Sequence, residues 1–415
     1  MSPHRRAAKT ADNPNQLSLE VFEGERILRF AASIGAQPWM ASGFALALIA
    51  LLVITTALSG TLSQPRLLHD ICNEASRFAF HPNWSCAIPD VLSPRFSLLR
   101  DLPSIYIATV LGLTPALILR QWKGLHNLFP SMSRLRELSY VSPASEKHFR
   151  DSIAVTNLHI RRVGALGLPI FLASAGSMFL ITLGIHSGIF WALAPDSLSR
   201  GASSLWTKQA YSHWWANLGN HPASGIIYFL IGTVGIYYIV IMNLVGGRVV
   251  ILLRQVRNDI HFGASAENVD GYHGWREARE VLISTYLATI LHSTALAAII
   301  VVLAPSRWWL AAPVVLQWLI VVPFYLVIPL RLTHRSISRY KAQEEELMVN
   351  QLHDLRGDKS LKAQQVRELI ASRLERVHSI RTLPFKRGGR LLAVLFTLLA
   401  GSASIYAVLT VWYSR

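Results

Sequence analysis

The apolar residues of this chain gather in blocks of about 20, and that feature limits its fold more than any other. Seven blocks can be drawn, over residues 41–62, 102–122, 165–192, 226–253, 281–304, 308–330 and 391–412. At ~1.5 Å rise per residue, a helix of ~20 residues crosses a ~30 Å hydrocarbon core. Backbone groups in lipid must bond within their own segment, and no alternating barrel pattern is present, so the blocks read as helices. The 415 residues are 52% hydrophobic and only 15% charged, too few charges for the surface of a soluble chain of this length. The expected fold class is therefore all-α: a polytopic integral membrane protein with seven transmembrane helices. Block 102–122, short and interrupted by Pro115, reads as a tilted or re-entrant piece. The polar residues that precede the first block are too many for a signal peptide, so that block reads as a retained span.

Charge sets the expected orientation. Of the 40 lysines and arginines, 32 fall in segments 1–40, 120–163, 248–280 and 331–390; the other 8 fall in 63–103, 193–223, 305–307 and at Arg415. This bias places the N-terminus inside, the C-terminus outside, and the protein in the inner (plasma) membrane as a multi-pass protein. It also accounts for the net charge of +16 through basic loops on an anionic inner leaflet, with no nucleic-acid partner required. Cys72 and Cys86 share the first outer loop. A disulfide closing such a loop contributes roughly 3 kcal/mol and persists only in an oxidising compartment; two unpaired thiols are the other reading.

Four regions follow. Residues 1–40 form a cytoplasmic segment whose amphipathic part, Leu17 to Phe30, is expected to be an interfacial helix. Residues 41–330 hold six spans. Residues 331–390 form a cytoplasmic helical segment, with helices expected over 336–355 and 360–383 around the turn Arg356-Gly357-Asp358. In the second of these, Val366, Ile370, Leu374, Val377 and Ile380 form one stripe that would pack on membrane-proximal helices or on a second subunit. Residues 391–415 are the seventh span and outer tail. The tryptophan-rich WTKQAYSHWW (Trp206 to Trp215) is expected to anchor at the interface.

The chemistry is read as much from absences as from motifs. No Asp or Glu lies inside any block, although mid-membrane carboxylates are the usual relays of ion-coupled carriers. No HExxH, GxSxG, phosphate loop or metal-type cysteine spacing is present, so the sequence calls for no enzyme activity and no cofactor. Polar residues within the blocks are His186, Asn243, His292 and Gln317. Each is expected to bond between helices, or else His292 and Gln317 line a hydrated path. Tyr406, Thr410 and Tyr413 share a face of the last block, either as packing and interfacial aromatics or as the polar face of a pore. In the loop NVDGYHGWREARE (Asn268 to Glu280), Gly271 and Gly274 allow a sharp turn and Asn268 and Asp270 can cap the next helix. Trp275 suits the interface, and Arg276, Glu277, Arg279 and Glu280 form the wet first turns of the fifth span. Asp270 and His273 form an alternative ligand or proton site.

That loop resembles one in a family of bacterial multipass membrane proteins with a His-Pro-Asp-x-x-Gly-Gly signature after a basic helix end. There it is followed by two spans, a cytoplasmic helical segment, a Pro-Phe pair and a last span. The counterpart here is Asn268-Val269-Asp270-Gly271-Tyr272-His273-Gly274, then Pro384-Phe385 and the last block, over roughly residues 225–412. Asn268 and Val269 replace the His and Pro, and one glycine of the pair matches; the likeness bears on architecture. The layout is also similar to that of insect chemoreceptor-type ion channels, which would imply a homo-oligomer with the last helix at a central pore. The sequence is thus compatible with three functions: an oligomeric channel-like or chemosensory membrane protein, a small-molecule transporter, and a membrane-anchored sensor or scaffold.

Overall fold

The computed structural model describes residues 17–63, 97–134, 138–186, 214–262, 275–295, 328–357 and 360–379. Helices dominate them: α1 (Arg26–Ser33), α2 (Pro38–Leu58), α3 (Leu102–Arg134), α4 (Pro143–Ala165), α5 (Gly167–His186), α6 (Pro222–Gln255), α7 (276–295), α8 (Ile328–Asp354) and α9 (Leu361–Ser379). An antiparallel ribbon joins β1 (Leu138–Tyr140) to β2 (Ile260–Phe262), pairing Leu138 with Phe262 and Tyr140 with Ile260. Among the described residues three helices are long and apolar enough to cross a membrane: Pro38–Leu58, Ser104–Arg134 and Pro222–Asn258. The pair α4 and α5, bent by 53°, makes a fourth if it counts as one broken span. Of the remaining blocks, the fifth is described only to residue 295, the sixth from residue 328, and the seventh lies outside the described residues.

The second block is not a short piece. It is the head of a 33-residue helix that runs on to Arg134. Its continuation carries Leu125, Leu128, Phe129 and Met132 at three- and four-residue spacing, all buried, so tertiary contacts sustain the helix beyond the apolar block. Contacts across the bundle show α2, α5 and α7 running one way and α3 and α6 the other. Glu25 packs at the middle of α6 and Gly24 beyond it at Val245, on the side of its ribbon-tied end, whereas Trp214 and Trp215 pack near its start. The two ends are called here the ribbon end and the tryptophan end.

Two apolar clusters fill the bundle. At the ribbon end Trp122 and Phe129 of α3 meet Phe149, Ile153 and Ile160 of α4 and Val245 and Leu252 of α6. At the tryptophan end Leu52, Met178, Ile231 and Tyr228 surround Trp214 and Trp215. These two indoles are not interfacial anchors. Both are buried, and both donate to Asp101 Oδ2, at 3.0 and 2.9 Å. A buried indole N–H needs an acceptor, and the carboxylate at the start of α3 supplies one for each. Trp275, expected at the interface, is likewise buried in the ribbon-end cluster.

Small residues let the helices approach. A Cβ on Gly235 of α6 would run into Leu111 of α3, and one on Gly232 would lie 2.5 Å from the Met178 sulfur of α5. The ribbon ties the α3–α4 connection to the end of α6, helped by the Val141 N–H donating to the Asp259 carbonyl at 3.1 Å and by His148 Nδ1 at 2.8 Å from Asp259 Oδ2.

The segment before α2 departs from the expected interfacial helix. Only α1 is helical; residues 17–25 form an extended strap with one 3-10 turn, Val21–Gly24. Leu17, Leu19 and Val21 are each 0% exposed and face the ribbon-end cluster. Their spacing of two is the period of extended chain, and that decides against a helix there. In α1 Ile27 and Phe30, and Ile34 just after it, lie outward, 64–65% exposed, as does Trp39 of α2.

Past the bundle, α8 and α9 fold into an antiparallel hairpin. Ile370, Leu374 and Val377 of the expected stripe pack on Met348, Leu352 and Leu355, so the stripe is covered within the chain. Val366 stays largely outside it, and Ile380 lies outside the described residues. Arg367 Nη2 donating to the Leu355 carbonyl (2.7 Å) and the Arg373–Glu344 pair (3.2 Å) close the hairpin.

Candidate functional site: a polar seam between α3 and α7

Helices α3 and α7 run antiparallel, and their facing polar residues meet in order along their length. Near the middle of α3 and the start of α7, Arg120 donates from Nε and Nη2 to Glu280 Oε2, at 2.9 and 2.6 Å. Arg279 Nη1 reaches the other oxygen at 3.2 Å. One step further, Gln121 Nε2 donates to Thr285 Oγ1 at 2.7 Å. Thr114 Oγ1 then lies 3.0 Å from His292 Nε2, and near the tryptophan end Tyr106 Oη meets Thr294 Oγ1. Gly124 sets the closeness of the pair, since a Cβ there would lie 2.8 Å from Val281 Cγ2 and 3.3 Å from the Glu277 carbonyl oxygen.

Local bonding fixes the direction of each proton. Thr285 and Thr294 donate back into their own helix, to the carbonyls of Val281 (2.8 Å) and Ile290 (3.0 Å), so toward α3 they accept. Thr114 likewise donates to the Val110 carbonyl at 3.0 Å. Its oxygen therefore accepts from His292, which must carry its proton on Nε2 and leaves Nδ1 as an acceptor. Buried Gln121 Oε1 has no hydrogen-bond partner, which leaves an unsatisfied acceptor inside the seam. Pro115 lies beside Thr114 and lacks the N–H that would bond the Leu111 carbonyl, so the helix is weakened at the level of His292. The result is a line of paired donors and acceptors between the two helices, α3 donating at Arg120, Gln121 and Tyr106 and accepting at Thr114.

Of the residues singled out in the sequence, the structure places His292 in this seam, with Thr114 as its partner. Gln317, Tyr406, Thr410, Asp270, Gly271, His273, Gly274, Cys72 and Cys86 lie outside the described residues. Glu280 is not part of a wet first turn: it is half-buried and held by two arginines. Sequence reasoning missed Arg120, Thr114, Gln121 and Tyr106. Arg120 stood as a cation inside the second block, a position where a partner on another helix is the usual explanation, and that signal was available. No group of three or more His, Cys, Asp or Glu side chains suited to a metal ion occurs among the described residues.

No protein-family model, no curated protein and no solved structure matches this chain.

Proposed function

We propose that the chain is a multi-pass protein of the inner (plasma) membrane, with its ribbon end in the cytoplasm, that conducts small polar or ionic solutes in a channel-like manner past the α3–α7 seam. The observation that carries this reading is the seam itself: four successive cross-helix polar contacts between Arg120–Gln121, near the middle of α3, and Tyr106, near its start. Packing alone needs small residues and few bonds; a line of four offers a hydrated solute successive partners. The orientation follows from charge. Described residues at the ribbon end include Lys123, Arg134, Arg150, Arg161, Arg162, Arg254 and Arg257, whereas those at the tryptophan end include Arg100 alone. The outward apolar face of α1 suits the inner lipid interface, with the anionic leaflet as partner. The proposed working form is a homo-oligomer, with Gln317, Tyr406 and Thr410 assigned to the same path.

The test is current across planar bilayers holding the purified protein. Wild type should conduct, and His292→Ala and Thr114→Val should each change unitary conductance by severalfold while the protein still inserts. Solute uptake by vesicles without current would favour a transporter. Neither current nor uptake would leave the sensor or scaffold reading and end this one.

A further inference from the structure

We propose that the N-terminal strap, residues 17–25, is a latch that holds the bend between α4 and α5 closed against α6. The bend falls at Leu166, between the end of α4 at Ala165 and the start of α5 at Gly167. Two residues before it, Gly164 leaves room for the strap: the Glu23 carbonyl oxygen occupies the place a Cβ would take. Gly24 is a three-way junction, its Cβ position 3.3 Å from Ile160 of α4, 3.3 Å from Val245 of α6 and 3.5 Å from Trp122 of α3. Beyond the bend the same strap acts through Tyr237. Its hydroxyl donates to Glu25 Oε1 at 3.2 Å, while its ring meets Phe171 of α5 edge-on at 5.6 Å. Tyr237 thus touches the strap and the far side of the bend at once. Glu25 is buried, and its second oxygen accepts from the Leu28 N–H at 2.5 Å and from the Tyr238 hydroxyl at 3.5 Å.

The strap is fastened along one side by groups on α3 and α4. Asn157 brackets residue 19, donating from Nδ2 to the Ser18 carbonyl (3.1 Å) and accepting the Glu20 N–H on Oδ1 (3.0 Å). His126 Nδ1 donates to the Leu19 carbonyl at 3.0 Å. Pro130 cannot donate to the His126 carbonyl four residues back, and Ser18 Oγ does so in its place, at 3.2 Å. A fork from Arg161 to Glu20, at 2.7 and 2.9 Å, completes the fastening. Among the described residues, the backbone bonds within the strap are those of the 3-10 turn Val21–Gly24. The strap joins a helix at Glu25, which caps α1 by accepting the Leu28 and Arg29 N–H groups; residues 17–24 can therefore leave as a unit without unwinding a helix.

Hydrogen–deuterium exchange of the full chain in lipid nanodiscs tests the latch. Asn157→Ala deletes two bonds to the strap backbone and should speed amide exchange about tenfold in residues 17–25. The same rise should appear in 160–171, with 222–235 unchanged. Tyr237→Phe, which spares the ring contact with Phe171, should do the same and serves if the first variant fails to insert. The latch is overturned if the strap speeds up while 160–171 keeps wild-type protection, or if neither variant changes the strap.

Discussion

Gly235 and Gly232 lie three residues apart on one helix, and each is a glycine because a neighbour comes too close for a Cβ. The neighbours differ. At Gly235 the obstacle is the Cβ and backbone of Leu111, fixed in α3; at Gly232 it is the end of the Met178 side chain, which can swing away. Gly235→Ala should therefore cost about 1–3 kcal/mol and Gly232→Ala well under half of that. Thermal unfolding in detergent compares the two, and equal losses would show that α3 yields as readily as a methionine. The seam and the strap follow the same logic of fixed partners. Thr114 can accept from His292 because its own proton is committed to Val110, and the His126 carbonyl can accept from Ser18 because Pro130 offers it no hydrogen.

Among elements, the bundle helices and the α8–α9 hairpin rest on separate contacts. The hairpin buries Met348, Ile370 and Val377 in a small cluster of its own, with a lesser tie to the bundle through Ile337 and Tyr340. Ile370→Ala should remove roughly 2–4 kcal/mol from that cluster. Because the loss is local, proteolysis should begin in residues 345–379 while α2, α3 and α6 keep their protection. Simultaneous loss of protection in the bundle would mean that the hairpin and the bundle unfold together. The strap is the opposite case. It has almost no backbone bonding of its own, yet it touches α3, α4 and α6, so its order depends wholly on the elements around it.

For the whole molecule the central matter is which end faces the cell interior. Ser139, exposed in β1, marks the ribbon end. In a variant lacking Cys72 and Cys86, Ser139→Cys should react with a membrane-impermeant thiol reagent only after the membrane is opened. Labelling of intact cells would reverse the orientation and with it the placing of the basic surface. The bend at Leu166 belongs to this scale too, since it decides whether α4 and α5 make one broken span or a surface helix leading into a separate span.

The sequence by itself determined the helical class and the first helices long and apolar enough to cross a membrane, because such a helix demands a length and a composition that can be counted along the chain. It located α2, α6 and the α8–α9 hairpin, and it singled out His292. It also held, in the alternation of Leu17, Leu19 and Val21, the sign of the strap, which an amphipathic reading over a longer window blurred into a helix. Only the tertiary structure decided the rest. That α3 runs on to Arg134, that Glu280 meets Arg120 and that Asp101 takes two indole protons depend on residues more than a hundred positions apart. Such pairs leave no mark on local periodicity. Each is set by which helices lie side by side, and that is a property of packing, settled where a missing Cβ lets two backbones close.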